Sequence, residues 1–280
     1  MCTLQCSQSA YLYSRLFAER GLIQKAARFY GPAPLHHVLL AGRTHTGVTL
    51  QTLHQKHFDR GVILQQTPRP GFKIPDPDNC TVPELLELVS AKGAEILVDG
   101  IEKGVFVPPL EDVRPNPAEK PKEVIHATKI TTEDRHIDWK VQSAEMIKRS
   151  SRVIGPLWNM TTVPCDPASD KSSHDRRVIL TQVTEVSPLD GSEKTGFAAE
   201  PGRPFLASPT EKGNKKGTKE GIYAWTADKK QLRIDRMKVE GEPDADAVRA
   251  TRKAKFIEKN KEPDGSSDDF EFRTWYAGLV

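Results

Sequence analysis

Between residues 31 and about 112, short apolar runs alternate with turn residues, the rhythm of α/β segments. Gly47-Val-Thr-Leu-Gln-Thr-Leu53 is β-branched and alternating, which predicts a strand, and Gly61-Val-Ile-Leu-Gln-Gln-Thr67 predicts a second strand close behind it. Thr81-Val-Pro-Glu-Leu-Leu-Glu-Leu-Val89 opens with a Thr N-cap, a proline at the second helical position and an early glutamate. Its apolar face continues through Ala94, Ile96, Leu97, Val98 and Ile101, so one or two helices should reach about Lys103. Further on, Ser143 to Ile154 reads as an amphipathic helix stopped by Gly155-Pro156. Arg177–Val183, Gly221–Trp225 and Gln231–Asp235 are strand-like and separated by polar loops, the pattern of a small β-barrel or sheet domain.

Punctuation divides the chain. Residues 108 to 123 hold five prolines among charges and cannot pack as an element. The expected domains are therefore a basic N-terminal segment at 1–30, an α/β unit at 31–112 and a linker at 113–125. A β-rich unit at 126–258 and a polar, acidic tail at 259–280 follow. The tail run Asp264-Gly-Ser-Ser-Asp-Asp269 should be disordered, and Thr274–Val280 either docks back or hangs free.

Charge adds little. Forty-one Lys and Arg against 38 Asp and Glu give a net charge of +3, which permits an anionic partner without demanding one. Cys2, Cys6, Cys80 and Cys165 form no Cys-x-x-Cys pair, so no metal site is expected and a reducing compartment is. No apolar run is long enough for a membrane helix, so no membrane partner is expected. The first thirty residues carry Arg15, Arg20, Lys25 and Arg28 against Glu19 alone, as a mitochondrial presequence would. An ordinary basic helix is equally open there, because Leu12, Leu16, Phe17, Leu22 and Ile23 have helical spacing over Tyr11 to Ala27.

Two groups of motifs carry a resemblance. Gly31-Pro-Ala-Pro-Leu35, Thr46-Gly-Val-Thr49 and Asp59-Arg-Gly61 stand in the order and spacing of the second half of the folate-dependent formyltransferase domain, with Tyr30 where that family has arginine. Lys129 to Trp139, then Ala144 to Arg149 and Arg152 to Trp158, resemble the start of the C-terminal domain of methionyl-tRNA formyltransferases, mitochondrial type. The resemblance implies an α/β fold with a partial, N-terminally incomplete Rossmann-like formyltransferase domain, followed by a small OB-like β-barrel. It also implies transfer of a formyl group from 10-formyltetrahydrofolate to the amine of initiator methionyl-tRNA, by a monomer in the mitochondrial matrix.

That chemistry asks for an oxyanion donor, an acid/base near neutrality and a carboxylate to orient it. The family uses an asparagine, a histidine two residues later and an aspartate. Asp59 matches the aspartate, against the plainer alternative of an Asx-turn residue before a strand. Arg20-Gly-Leu-Ile-Gln-Lys-Ala-Ala27, where the other two would stand, contains neither. His36, His37, His54 and His57 read as surface or packing histidines rather than replacements. Pro34, Thr46, Gly47 and Gly61 are the residues expected to line the pocket. Arg233, Arg236 and Lys238, near Tyr223 and Trp225, are the candidate RNA contacts, while the Lys-rich stretch 211–220 reads as a solvated loop. A non-catalytic tRNA-binding or RNA-binding remnant is the alternative function.

Overall fold

A computed structural model describes residues 10–13, 16–18, 27–52, 61–113, 124–163, 174–186, 201–202, 204–207, 221–254, 256–259, 270–272 and 275–276. The chain divides into two compact units, Met1–Ile130 and Thr131–Val280.

The first unit contains strands β1 (Ala10–Tyr13), β2 (Leu16–Ala18) and β3 (Ala27–Tyr30), then helix α1 (Pro34–Leu40). Strands β4 (His45–Thr46), β5 (Thr49–Thr52), β6 (Ile63–Gln66) and β7 (Phe72–Lys73) follow, then helix α2 (Val82–Glu102) and β8 (Val124–His126). They make three small sheets, ordered β1-β5-β6, β2-β3-β8 and β4-β7. Only the β3–β8 pairing is parallel among them.

Helix α2 begins where its sequence says it should. Thr81 Oγ1 accepts from the Glu84 amide, and the Glu84 carboxylate accepts the Thr81 amide at 2.7 Å, a complete capping box. Its inner line of Leu85, Val89, Gly93 and Gly100 faces the core made with Val38, Leu39, Leu50 and Ile63. At Gly100 the helix closes on the Leu50 and Gln65 side chains, which is why that position carries no side chain.

The helical spacing over Tyr11–Ala27 is not realised in the described part of that stretch: β1 and β2 are strands. β1 pairs antiparallel with β5, and β2 with β3. Partner strands pair with Ala10–Tyr13 and Leu16–Ala18, and aromatic residues such as Tyr11 and Tyr13 have high strand propensity, so pairing overrides the periodicity there. Residues 1–9, 14–15 and 19–26, where a presequence would lie, are outside the described residues, as is most of the expected linker.

In the second unit a 3-10 turn (Glu133–Arg135) leads to helix α3 (Ala144–Ile154) and strands β9 (Leu157–Val163) and β10 (His174–Val186). Next come β11 (Pro204–Ala207), β12 (Gly221–Trp225), β13 (Gln231–Val239), β14 (Ala245–Asp246) and helix α4 (Ala247–Lys253). Strands β15 (Ile257–Lys259), β16 (Phe270–Phe272) and β17 (Trp275–Tyr276) complete it. The main sheet is antiparallel and runs β11-β12-β13-β10-β9-β17, with β14 on β13. Among the described residues this sheet is open, with no pairing of β11 to β17, so the barrel closure expected from the strand pattern is not seen there. Within the closing segment Trp275 and Tyr276 pair with β9, while its other residues and the acidic run Asp264–Asp269 lie outside the described residues.

Ser143 caps α3 by accepting from the Met146 amide, and Asp228 Oδ1 accepts from Ala144 N at 3.0 Å, tying the helix start to the β12–β13 turn. Burial raises the Asp228 carboxyl, but the Thr226 hydroxyl and the Ala144 amide outweigh it and hold the pKa below its ordinary value. Beneath the sheet, fully buried Trp139 donates Nε1–H to Asn159 Oδ1 at 2.8 Å. Gly202, at φ +81°, sits so close that a Cβ there would lie 2.7 Å from the Trp139 Cβ.

Asn159 also fixes a histidine. With Oδ1 taken by an indole, which only donates, its Nδ2 donates to the Ile137 carbonyl and faces His136 Nε2 at 3.5 Å. A neutral His136 with its lone pair at Nε2 suits that long contact. Burial lowers its pKa from the ordinary 6.5, against an opposing pull from Asp138. The folded chain therefore takes up that proton less readily than the unfolded one. Stability is complete above about pH 6.5 and declines as pH falls through that value toward the folded pKa. Urea unfolding from pH 7.5 to 5 should show this decline, and His136→Gln, which keeps an acceptor toward Asn159, should flatten it.

Candidate functional site

The Thr46–Thr49 motif runs into β5, and Gly61 of the Asp59–Gly61 motif lies at the start of β6, so these two bear on the β5–β6 hairpin. Thr52 closes one end: its amide donates to the Val62 carbonyl at 2.9 Å and its hydroxyl accepts from the Val62 amide at 2.9 Å. Gly61 lies directly against the Thr52 carbonyl oxygen, which occupies the place where a Cβ would be. Thr67 closes the other end, its hydroxyl accepting from Val48 N at 3.0 Å and its amide donating to Val48 O at 2.9 Å. The glycine of the Asp59-Arg-Gly61 motif is therefore a backbone-contact residue. Asp59 itself lies among residues 53–60, outside the described residues, together with His54 and His57.

The other expected pocket residues do not all converge. Gly31, at φ +126°, packs on the Ala127 carbonyl, so that Pro34 enters α1 at its first position. Thr46 and Gly47, both buried, stand at the entrance to β5, and Gly71 at φ +97° packs its backbone on the Thr46 carbonyl. Gly61 stands at the opposite end of β5, a separation of roughly 16 Å for five extended residues. The nearby His36 has its pKa lowered by burial and then by His37, whose Nε2 contacts the Thr128 carbonyl at 3.0 Å.

Several polar atoms here lack partners. Thr46 Oγ1, Thr49 Oγ1, Gln51 Oε1, Gln65 Oε1 and Gln66 Oε1 are shielded from solvent and make no hydrogen bond. Sequence reading missed Thr49, Gln51, Gln65 and Gln66, because a threonine or glutamine in a strand gives no signal until burial is known. Gln65 differs from the rest, since its amide nitrogen donates to Asp99 on α2. Asp99 also takes Lys103 at 2.7 Å, and the Lys103 and Gln65 bonds lower its pKa.

In the second unit, Arg233, Arg236 and Lys238 all reach the outward face of β13, although 233 and 236 differ in parity. An irregularity in the β10–β13 register, around Gln182, shifts the alternation by one residue. Leu232, Ile234, Met237 and Val239 thus stay buried while the three cations face out. Acids hold two of them. Arg233 Nε lies 3.1 Å from Asp235 Oδ1, an ion pair without hydrogen-bond alignment, and Arg236 Nε donates to Asp244 Oδ2 at 2.8 Å. On the same sheet Arg177 lies 4.5 Å over the Trp158 ring, and Trp158 meets His136 edge-on. This cluster also escaped sequence reading, since Arg177 and Trp158 are diagonal neighbours only once β9 and β10 are in register. Phe205 stacks on Tyr223 and Trp225 at centroid distances of 5.7 and 6.3 Å.

Among the described residues no group of three or more His, Cys, Asp or Glu could hold a metal ion, and no helix is long and apolar enough to cross a membrane.

No family model matches the chain. Its sequence is 33% identical over 177 residues to the mitochondrial methionyl-tRNA formyltransferase of Bos taurus, covering 62% of this chain and 40% of that protein. The mitochondrial enzyme of Saccharomyces cerevisiae is 30% identical over 187 residues, 61% of this chain and 46% of that one. The methionyl-tRNA formyltransferase of Treponema denticola is 36% identical over 129 residues, 46% and 36% of the two chains. The match thus spans less than half the length of these relatives. Among solved structures, HypX of Aquifex aeolicus in complex with tetrahydrofolic acid superposes with TM-score 0.45 at 16% identity, over 95% of this chain and 39% of that one. An N-formyltransferase of Helicobacter canadensis, with folinic acid and dTDP-3-aminofucose, gives 0.40 at 13% identity, over 74% and 61%.

Gly61→Ala should lose roughly 3 kcal/mol of stability or fail to fold, because the added methyl meets a hydrogen-bonded backbone rather than a movable side chain. Denaturant unfolding of the variant measures it. In sequence, over the matched residues, this is a methionyl-tRNA formyltransferase-like chain.

Proposed function

We propose that the chain is a methionyl-tRNA formyltransferase, transferring the formyl group of 10-formyltetrahydrofolate to the amine of initiator methionyl-tRNA in the mitochondrial matrix. The observation that carries this is the sequence match to mitochondrial and bacterial members alike. In this reading the first unit is part of a Rossmann-like formyltransferase domain and the second an OB-like module that contacts tRNA, and the enzyme acts as a monomer.

The folate supplies an electrophilic formyl carbon. The entrance to β5 fits a polar small molecule in one respect: Thr46 Oγ1, fully buried beside Gly47, has no hydrogen-bond partner. Pro34, Thr46, Gly47 and Gly61 would hold the donor on this side. Asp59 would keep its carboxylate beside the attacking amine and accept or orient the proton that must leave nitrogen. On the second unit, the outward cations of β13 would follow the tRNA phosphates, with exposed Lys238 the freest of the three named and Arg233 and Arg236 held by Asp235 and Asp244.

A non-catalytic RNA-binding role is the second reading, and one observation favours it: Arg20–Ala27 contains neither asparagine nor histidine. Formyl transfer to initiator methionyl-tRNA, followed with a radiolabelled donor, separates the two. Transfer by the chain, reduced by about two orders of magnitude or more in Asp59→Ala, is expected. Salt-dependent tRNA binding without any transfer would establish the second reading, and transfer that survives Asp59→Ala would remove Asp59 from the chemistry.

A further inference from the structure

The chain passes from its first compact unit to its second between Ile130 and Thr131. Residues 114–123, within the proline-rich stretch, come earlier, and the first unit holds the chain on both sides of them. Before them, Val113 N donates to the Ile63 carbonyl at 2.9 Å, and Asp112 Oδ1 accepts from Ile63 N at 3.4 Å. After them, β8 runs parallel to β3, with Val124 beside Arg28 and His126 beside Tyr30. A stretch that leaves a unit and returns to it cannot set how that unit turns against another.

The first unit keeps its hold beyond β8. Ala127, fully buried, accepts from Ala33 N at 3.3 Å, and Gly31 lies against the same carbonyl. Thr128 N donates to the His126 carbonyl at 3.1 Å, and Thr128 O takes His37 Nε2 at 3.0 Å. A carbonyl only accepts, so that ring nitrogen carries its hydrogen. Three residues later the second unit takes over. Thr131 N and Oγ1 both donate to Asp134 Oδ2, at 2.7 and 3.0 Å, and Thr132 O accepts from Trp158 Nε1 at 2.7 Å. Between the two holds stand exposed Lys129 and half-buried Ile130. Neither makes a hydrogen bond or ion pair among the described residues.

We propose that Lys129-Ile130 is the joint of the chain, a two-residue pivot pinned by His37 on one side and by Asp134 and Trp158 on the other. Three Cα steps separate Thr128 from Thr131, a reach of roughly 10–11 Å at full extension. That reach bounds how far a partner held by one unit is carried from the other. The joint stands on these contacts alone and does not depend on formyl transfer.

The test is NMR on the labelled full chain. In the wild type, order parameters should fall below about 0.6 at Lys129 and Ile130 and stay near 0.85 in β8 and β9. The amides of Ile125 and Ala127 should exchange as slowly as those of Phe29 and Tyr30. His37→Ala should extend the mobile stretch to Thr128, and His37→Gln, which keeps an N–H donor, should limit that extension. Residual dipolar couplings then report the orientation of each unit. Inserting Gly-Ser-Gly-Ser between Lys129 and Ile130 should change the alignment of one unit against the other while couplings within each stay the same. The same insertion between Pro117 and Ala118 should leave that alignment unchanged. Rigid Lys129 and Ile130 in the wild type, or a mobile Val124–Thr128, would overturn the joint without any variant. So would an unchanged alignment after the first insertion, or an equal change after the second.

Discussion

The β5–β6 hairpin of the first unit depends on a contact that admits only glycine. Gly61 rests on the Thr52 carbonyl, and the Thr52 amide and hydroxyl both engage Val62. Thr67 repeats the device on Val48 at the other end. With both ends held by backbone contacts, register is fixed, and register decides which side chains face α2 and which turn away. Leu50 goes to the core against Gly100, while Thr49 and Gln51 go to the face whose oxygens have no partner. The outer edge of Ile63 is covered in turn by Asp112 and Val113, which take its amide and its carbonyl.

The second unit is organised around a different fixed point. Trp139 and Asn159 are buried together, and the indole and the Ile137 carbonyl fix the orientation of the amide that faces His136. Above them the sheet turns its cations outward through one irregularity in β13, then balances most of them with acids. Glu185 accepts from both Lys148 and Lys230, and Asp244 accepts from Arg236 and Thr181. Such exposed pairs add little stability, about 0–1 kcal/mol each. Their consequence here is electrostatic: the face is less positive than its lysines and arginines suggest.

Local signals in the sequence were reliable wherever the chemistry was local. Thr81 with Glu84, and Ser143 before Ala144, mark helix starts through hydrogen bonds spanning three residues, and both helices begin there. The β5 and β6 strands were legible from alternation. What depended on distant pairing was not. Tyr11–Tyr13 reads as part of a helix until β5 is placed beside it. The shared face of Arg233, Arg236 and Lys238 needs the register shift against β10. Thr49 and Gln51 look like ordinary strand residues until burial shows them without partners. Asp59 was read from its resemblance to a family motif and lies outside the described residues; the glycine of that motif, Gly61, has its physical basis in the Thr52 contact.

The most direct measurement of whether this hairpin meets the ligand is an amide NMR titration of the labelled chain with folinic acid. Shifts should be largest for Thr49–Thr52 and Gly61–Gln66 and small for the amides around Trp158 and Tyr223. Shifts absent from the hairpin, or equally large across the second unit, would contradict a ligand site built on β5 and β6.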